Sequence, residues 1–317
     1  MFDQDEKPRV TNYVAEDEID LKELFTALWQ GKWVILATAL SAAVLAVFYA
    51  LSMPNIYKSE ALLAPVEESS SGGLSALAGQ FGGLASLAGI NLGGTSSGQV
   101  TIALELLKSR QFISSFIEEN GLKKEIMAAK KWEQAENTLI YDDDIYLVEQ
   151  EKWVRDVNPP KQQEPSLLEA HKKFLEDHLI VSQDKETGLV KLSVKHYSPY
   201  LAQELVTKLT EAINKQMRQK DIEEAQNSIN YLKEALRKTD VADMQSVFYQ
   251  LIEKQQQTKM LASVREEYVL KVIDPAVVAE EKNEPKRAII IILMSVFGGL
   301  IGCFFSMIKY FRKGKVC

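Results

Sequence analysis

The sequence predicts an α+β protein in which two transmembrane helices flank an α/β base domain that carries a long antiparallel helical projection. Three patterns support this fold class. Two uncharged apolar blocks lie towards the ends of the 317 residues, and strand-like alternation occurs in the region between them. A helical pattern without glycine or proline then runs for about 40 residues before the second apolar block.

The two apolar blocks are long enough to cross a membrane. At about 1.5 Å per residue, a helix of about 20 residues spans the hydrocarbon core of a bilayer, which is roughly 30 Å thick. We therefore predict transmembrane helices over residues 33–53 and 288–308. A cleaved signal peptide is the alternative for the first block, although its leader would be long and acidic where a basic start is expected.

Two spans place both termini on one side of the membrane and the region between them on the other. The basic end after the second block, with Lys309, Arg312 and Lys313, is typical of a cytoplasmic face. We therefore predict a periplasmic domain over residues 54–287, between cytoplasmic tails at 1–32 and 309–317. Within the first tail, residues 19–29 have helical apolar spacing, which fits either an amphipathic helix on the membrane surface or a short lead-in to the next helix.

Composition argues against nucleic acid, metal and cofactor chemistry. The net charge is −7, and no basic stripe with interleaved aromatic residues occurs, so the sequence does not predict a nucleic-acid partner. The only two cysteines are Cys303 and Cys317, so the central region has no disulfide framework. The sequence also lacks the phosphate-binding pattern GxxxxGK[ST].

Two clusters of candidate ligands are better explained as ordinary structure. Residues 142–144 are three aspartates, but no calcium-loop spacing or glycine follows them, so a solvated turn is favoured. His171 and His178 share a helix face without a third ligand, so surface or packed histidines are favoured over zinc. We predict no enzyme activity, no catalytic residue, no cofactor and no metal site.

The base domain is predicted from two stretches of chain, residues 54–198 and 268–287. Within it, Ser166 and Glu169 form a capping-box pattern. A hairpin over residues 179–196 is predicted to bury one face of its sheet and to expose the other face to water. The residues between 127 and 165 show only irregular patterns. The predicted elements are a strand over 56–66 that Pro65 either ends or places at a sheet edge, a helix over 101–120, a helix from Ser166 to His178, a hairpin over 179–182 and 189–196, and a strand over 268–273.

A glycine-rich segment interrupts the base after its first strand. Residues 72–79 recur approximately as residues 82–89, and no charged residue lies between Ser69 and Leu104. This composition favours a flexible or lightly packed loop, and a dedicated contact site is the alternative.

The helical projection is predicted over residues 199–267. Ser198 and Pro199 are typical of a helix start, and residues 239–240 supply a break and a new cap before a return helix over 241–267. The apolar residues of both helices repeat at steps of three and four, as in a coiled coil. The predicted packing residues are Ile222, Ala225, Ile229, Leu232, Leu236, Met244, Phe248 and Leu251.

The stretch that leads into the second apolar block combines proline with small residues. Pro275 and Pro285 resist helix formation and predict a stiff connector. Small residues inside the block place close-approach surfaces about one helical turn apart, although glycine is also simply common in membrane helices. The candidate subunit or polymerase contacts are Pro275, Pro285, Ser295, Gly298, Gly299 and Gly302.

Several short motifs, taken in order along the chain, resemble one known family. The motifs are IDLKELF at 19–25 with WQGKW at 29–33, LKSR at 107–110, SPYLA at 198–202, and IDPA at 273–276 with PKR at 285–287. With the two-span arrangement, they resemble the chain-length determinant family of polysaccharide co-polymerases. One departure is visible, because residues 280–284 are charged and lack the additional proline that the family's connectors carry.

The resemblance implies an inner-membrane protein that forms a bell-shaped homo-oligomer. It implies regulation of the length of the lipopolysaccharide O-antigen, together with the membrane polymerase and the growing lipid-linked polysaccharide. The family has no catalytic residues to carry over. Its prolines and second-helix glycines match Pro275, Pro285, Gly298 and Gly302, which the resemblance assigns to subunit or polymerase contacts.

Other classes of protein remain as alternatives. Related exporters of exopolysaccharide or capsule carry a tyrosine-kinase domain, which would need a phosphate-binding loop. A two-span periplasmic sensor would need a cytoplasmic signalling module. An enzyme acting on glycans would place carboxylates together in a cleft.

Overall fold

A computed structural model of the protein describes residues 28–29, 31–66 and 96–314. Two compact units are present, one holding the two apolar helices and the other formed within residues 54–284. The combination of helices with an antiparallel sheet confirms the predicted α+β class. Residues 19–27 of the predicted amphipathic segment and the glycine-rich residues 72–89 lie outside the described residues.

The described chain contains eight α-helices and eight β-strands of assigned bounds. In chain order they are α1 (Lys32–Ser52), β1 (Tyr57–Pro65), α2 (Ser96–Lys108), α3 (Arg110–Glu119), α4 (Lys123–Met127), β2 (Ala129–Glu133), β3 (Thr138–Tyr141), β4 (Tyr146–Leu147), β5 (Lys152–Trp153), α5 (Leu167–Lys173), β6 (Leu179–Gln183), β7 (Val190–His196), α6 (Pro199–Arg237), α7 (Ala242–Val264), β8 (Leu270–Asp274) and α8 (Arg287–Gly314).

Helices α1 and α8 are long and apolar enough to cross a membrane. Mean hydropathy reaches 2.4 in Lys32–Ser52 and 2.6 in Arg287–Lys309. Each stretch exceeds the roughly 20 residues that a bilayer core requires. Both occur where the sequence predicts transmembrane helices.

The base is built on a four-stranded sheet in the order β6-β7-β1-β8, with every neighbouring pair antiparallel. Strand β1 lies inside the sheet, where Leu63 pairs with Val190 of β7 and with Val272 of β8. Pro65 is the last residue of β1 and stands opposite Leu270, so it ends the strand as predicted, whereas the alternative of an edge strand is wrong because β1 pairs on both sides. The sheet therefore joins the first strand of the base to the last one.

The hydrophobic core of the base includes residues of the sheet, of α2 to α5 and of the first half of α6. Its fully buried side chains include Leu107, Ile113, Phe174, Leu192 and Leu209. Burying each side chain of this size contributes about 1.5–3 kcal/mol, so this core is the main source of stability of the base.

The face of the hairpin that was predicted to be exposed to water is only partly exposed. Ser193 of β7 and Ser59 of β1 are buried, and Ser59 Oγ donates a hydrogen bond to the carbonyl oxygen of Val277 at 2.7 Å. The chain after β8 therefore covers part of the sheet face that alternation alone would leave in water.

The single helix predicted over residues 101–120 is wrong, because the chain forms two helices that meet at Ser109. Ser109 has extended backbone angles, and its hydroxyl accepts a hydrogen bond from Phe112 N at 3.2 Å. This is N-terminal capping, which serine favours. Apolar spacing continues on both sides of the cap, so periodicity alone does not show the break.

The region described above as irregular contains two small hairpins, β2 with β3 and β4 with β5. Their strands are only two to five residues long, too short for a clear alternating pattern. The aspartates at 142–144 lie at the turn between the hairpins, as predicted, where Asp142 pairs with Lys130 at 3.2 Å.

Helix α5 begins at the predicted capping box, in which Ser166 Oγ accepts from Glu169 N at 3.2 Å. Both Glu169 carboxylate oxygens also accept from the Arg155 guanidinium, at 2.7 and 2.9 Å. The last predicted turn differs, because residues Phe174–His178 form a π-helix. This turn leads directly into β6.

Two histidines are buried side by side behind the π-helical turn. The rings of His178 and His196 stack with centroids 5.4 Å apart and are 6% and 1% exposed. His196 Nδ1 accepts from Ser198 N at 3.1 Å, so its Nε2 carries the proton and donates to the Glu125 carbonyl at 3.2 Å. Burial lowers the pKa of both imidazoles, that of His196 to about 3.

Helices α6 and α7 form the antiparallel pair that the sequence predicts. Ser198 Oγ caps α6 by accepting from Leu201 N at 3.3 Å, and the helix continues for 39 residues. Between the helices, Lys259 Nζ donates to Gln226 Oε1 at 2.7 Å. The predicted cap at 239–240 is wrong, because α7 starts after Val241 without a side-chain cap, and α7 ends at Val264 rather than at 267.

One buried amide joins α6 to the chain that returns from α7. Asn214 Oδ1 accepts from the backbone N–H groups of Tyr268, Val269 and Leu270 at 3.2, 2.9 and 3.0 Å. Its Nδ2 donates to the Leu270 carbonyl at 2.8 Å. Pro65, which stands opposite Leu270 in the sheet, has no N–H to donate.

Asn214→Leu is expected to lower the free energy of unfolding by about 3 kcal/mol, because it leaves several backbone groups without partners. The measurement is chemical denaturation of the full chain in detergent. Asn227→Leu, at an exposed position of the same helix, is the control, and equal losses at both positions would contradict this role of Asn214.

The buried histidines predict loss of stability in acid. The unfolded chain binds protons near pH 6.5, whereas folded His196 binds one only near pH 3. The contribution of His196 to stability is therefore complete above pH 6.5 and falls as the pH drops towards 3, by about 2 kcal/mol between pH 7 and 5, and the lowered pKa of His178 acts in the same direction. The free energy of unfolding is measured by denaturation at pH 7 and at pH 5. The difference between the two values should be smaller in His196→Asn than in the wild type and unchanged in His171→Gln. Equal differences in the wild type and both variants would contradict this role of His196.

Candidate functional site: the paired apolar helices, the connector and the helical projection

No metal centre is evident in the described parts of the chain, where no three or more His, Cys, Asp or Glu residues are grouped to hold an ion. The residues singled out by the sequence instead lie on three surfaces. These are the seam between α1 and α8, the connector over residues 275–284, and the helical pair α6–α7. Each is described below from its contacts.

The two predicted glycine positions at the centre of α8 lie against α1. Gly298 and Gly302 are buried. A Cβ added at Gly302 would overlap Thr38 Oγ1 and stand 2.8 Å from Ile35 Cα, and one at Gly298 would overlap Ala42 Cβ. Glycine therefore permits the backbones of the two helices to approach closely.

The other small residues of the predicted set lie differently. Gly299 has room for a side-chain carbon, since a Cβ added there would stand 4.0 Å from Ala39 Cβ, an ordinary van der Waals distance. Ser295 Oγ donates to the Ile291 carbonyl of its own helix at 2.7 Å. At the start of α8, Arg287 Nε donates to the Ala50 carbonyl at 3.0 Å. The seam of α8 is thus formed by Gly298 and Gly302, while Arg287 joins the adjacent helix ends.

The sequence analysis missed the other half of this seam. Ala46 and Ala50 of α1 are buried, and Thr38 and Ala42 face the glycines. These four residues follow each other at steps of four, which is the small-residue pattern typical of close helix packing in membranes. The pattern is present in the sequence and could have identified the partner of the glycines.

The connector lies against the base. The Ala276 and Val277 carbonyls accept from Gln203 Nε2 at 3.4 Å and from Ser59 Oγ at 2.7 Å. At its far end, Ile56 N donates to the Glu284 carbonyl at 2.9 Å, and Lys195 pairs with the Glu284 carboxylate. The Pro275 side of the connector is exposed, whereas Pro285 is half-buried. These bonds, together with the prolines, hold the connector in one path.

The predicted packing residues of the helical pair divide into three groups. Ala225, Ile229 and Leu232 are buried between the helices. Met244 is exposed. The residues that are half-buried are Ile222, Leu236, Phe248 and Leu251.

Part of the helical pair presents large apolar side chains to solvent. Tyr231 of α6 is 69% exposed and Val264 of α7 is 77% exposed. Tyr249 and Met260 of α7 are exposed as well. Surfaces of this kind are typical of contacts with another protein chain.

The contact between α1 and α8 predicts different effects at Gly299 and Gly302, which lie three residues apart in α8. Gly302→Ala is expected to lower stability by about 1–3 kcal/mol, because the added methyl group meets the backbone of α1. Gly299→Ala is the control and should be neutral or slightly stabilising, since its methyl group has room and alanine favours helix. Unfolding of the full chain in mixed micelles measures both, and a Gly302 variant as stable as wild type would contradict the seam.

Two solved structures show a distant similarity to this chain. A "full-length bacterial polysaccharide co-polymerase" is 14% identical, with 94% of this chain and 99% of that chain covered and a TM-score of 0.37. A "Fragment of WzzB, Polysaccharide Co-polymerase from Salmonella Typhimurium" is 13% identical, with 73% and 100% covered and a TM-score of 0.30. TM-scores of this size do not establish a common fold. Among curated proteins, no significant match is found.

Two family models match the chain directly. Residues 17–120 match the model described as "Chain length determinant protein", and this segment contains α1, β1, α2 and α3. Residues 231–311 match the model described as "G-rich domain on putative tyrosine kinase", which covers α7, β8, the connector and most of α8. One match includes the first apolar helix, α1, and the other includes most of the second, α8. The resemblance to the chain-length determinant family is therefore confirmed over residues 17–120.

Proposed function

We propose that the protein regulates the chain length of the lipopolysaccharide O-antigen. It acts as a non-enzymatic, oligomeric co-polymerase beside the O-antigen polymerase of the bacterial inner membrane. The observation that carries this proposal is the match of residues 17–120 to the chain-length determinant model, which includes both the first apolar helix and the start of the base.

In this proposal α1 and α8 cross the inner membrane, and residues 54–287 lie in the periplasm. Two spans return the chain to the side on which it began, so both termini are cytoplasmic. The basic residues after the second span, which include Lys309 and Arg312, support this orientation.

A second copy of this chain is the proposed partner of the helical pair. Exposed apolar side chains on both helices, such as Tyr231 and Val264, support association beyond the single chain. The pair buries few residues of α7, of which only Ala262 is fully covered within the helix. Packing against neighbouring copies would cover more of α7 and stabilise a homo-oligomer.

The proposed contact with the polymerase lies on the outer faces of the apolar helices. Gly298 and Gly302 already contact α1 of the same chain, so their role in this proposal is to keep the pair closed. The closed pair leaves Phe297, Leu300 and Phe304 exposed along α8. These side chains would contact polymerase helices inside the bilayer, with Pro275 and Pro285 setting where α8 begins.

Export or synthesis of another surface polysaccharide is the second candidate function. The observation that favours it is the match of residues 231–311 to a domain named for tyrosine kinases. This candidate function concerns the matched segment and includes no kinase activity of residues 1–317, which contain no GxxxxGK[ST] motif.

A lipopolysaccharide gel ladder from a deletion strain tests the proposal. Deletion is expected to replace a clustered length distribution with a smoothly decaying one, and the wild-type gene should restore the cluster. Gly298→Leu combined with Gly302→Leu should fail to restore it, because both leucines would force the helices apart. Gly299→Leu is the matched control and should restore it.

Two outcomes would overturn the proposal. Complete loss of O-antigen on deletion would indicate a role in synthesis or export. An unchanged ladder, together with a changed capsule or exopolysaccharide, would favour the second candidate function.

A further inference from the structure

A cavity of about 360 Å³ lies in the base between α4, the π-helical turn, β7 and the connector. One side is formed by Ile56 and Glu284, whose backbones are hydrogen-bonded. The remaining wall includes Lys173, Asp177 and Tyr197. Its volume is at the lower end of the roughly 300–1,000 Å³ that ligand pockets occupy, which suits one or two rings rather than a long segment.

The backbone and the buried groups beside this cavity are unusual. Glu176 and Asp177 belong to the π-helical turn, and turns of this kind occur frequently at functional sites. His178 also lines the cavity. Its Nδ1 lies 2.7 Å from the Lys195 carbonyl, so Nδ1 carries the proton and Nε2 keeps a lone pair. This Nε2 is buried and has no partner among the described residues.

The side chains of the cavity supply both hydrogen-bond donors and acceptors. Lys173 Nζ donates to the Met127 carbonyl at 3.2 Å and has two further N–H groups. Burial lowers the pKa of Lys173 and raises the pKa of the Tyr197 hydroxyl. The Asp177 side chain is exposed, so its carboxylate oxygens can accept hydrogen bonds from a ligand. The cavity can thus match a ligand that carries several hydroxyl groups.

The charges of the lining argue against an anionic ligand. Glu176, Asp177 and Glu284 contribute three carboxylates, and Lys173 and Lys195 contribute two ammonium groups. Lys195 is already paired with Glu284 at 2.5 Å. A phosphate would therefore meet a lining whose net charge is negative, whereas a neutral hydroxylated ring would not be repelled.

We propose that this cavity binds a sugar ring of the polysaccharide whose length the protein regulates, with Asp177 accepting hydrogen bonds from sugar hydroxyls and Lys173 and Tyr197 donating them. The inference rests on the proposed function, which supplies the class of ligand. It adds a direct contact between the base and the glycan. The bound sugar would delay release of the growing chain at the base of the protein.

Binding of oligosaccharides to the full-length protein in lipid nanodiscs tests this inference. The probe is a set of fragments of one to three repeat units, released by mild acid from the strain's own lipopolysaccharide. Calorimetry and saturation-transfer NMR measure binding. Asp177→Asn and Tyr197→Phe are each expected to weaken affinity by about tenfold, because each removes one charged or hydroxyl partner and keeps the shape of the side chain.

The controls are Glu118→Gln, an exposed carboxylate at a different surface pocket, and Tyr200→Phe, an exposed tyrosine outside the cavity. Both should bind like wild type, and all four variants should keep the wild-type melting temperature. If the Asp177 and Tyr197 variants bind the fragments with wild-type affinity, the proposed binding in this cavity is wrong. It is also wrong if the wild-type protein shows no binding at about 10 mM fragment. Displacement of the fragments by inorganic phosphate would overturn the sugar assignment.

The two proposals can fail separately. If deletion of the gene changes the ladder but the Asp177 and Tyr197 variants bind fragments normally, the cavity is excluded and length regulation stands. If the ladder is unchanged but binding maps to these residues, the base retains a saccharide site and the proposed function fails.

Discussion

The hydrogen bonds of Asn214 are the constraint on which the rest of the base and the helical pair depend. Helix α6 leaves the core near this residue, and α7 brings the chain back to within bonding distance of it. Four bonds from one side chain then direct the chain into β8, beside a proline that cannot donate. Because a buried unpaired amide is costly, this arrangement strongly favours one register for the returning strand.

The first and last strands of the base, β1 and β8, are paired in the four-stranded sheet. Strand β1 pairs with β8, and Ile56 is hydrogen-bonded to Glu284, so the chain enters and leaves the base at neighbouring points. Separately, α1 and α8 pack through small residues that leave no room for side chains at Gly302. The inner faces of the paired helices are therefore occupied, and in the proposed function only their outer faces are free to contact a partner.

Buried polar groups set the base apart from a simple apolar scaffold. The stacked neutral histidines and the half-buried Lys173 lie beside one cavity, whose lining also includes the exposed carboxylates of the π-helical turn. Such groups lower stability unless packing elsewhere compensates, and the apolar core beside them provides that packing. Their concentration at one place is the physical basis for assigning a ligand to it.

The sequence by itself determined the elements whose patterns are long and local. The apolar blocks, the capping box at Ser166, the N-cap at Ser198, the hairpin of β6 and β7 and the antiparallel helices follow from composition and spacing. It did not show the break at Ser109, the two short hairpins or the π-helical turn, because periodicity needs more residues than these features contain. Only the tertiary structure placed Gly302 against Thr38 and stacked His178 on His196, since contacts between residues distant in sequence depend on how the elements pack.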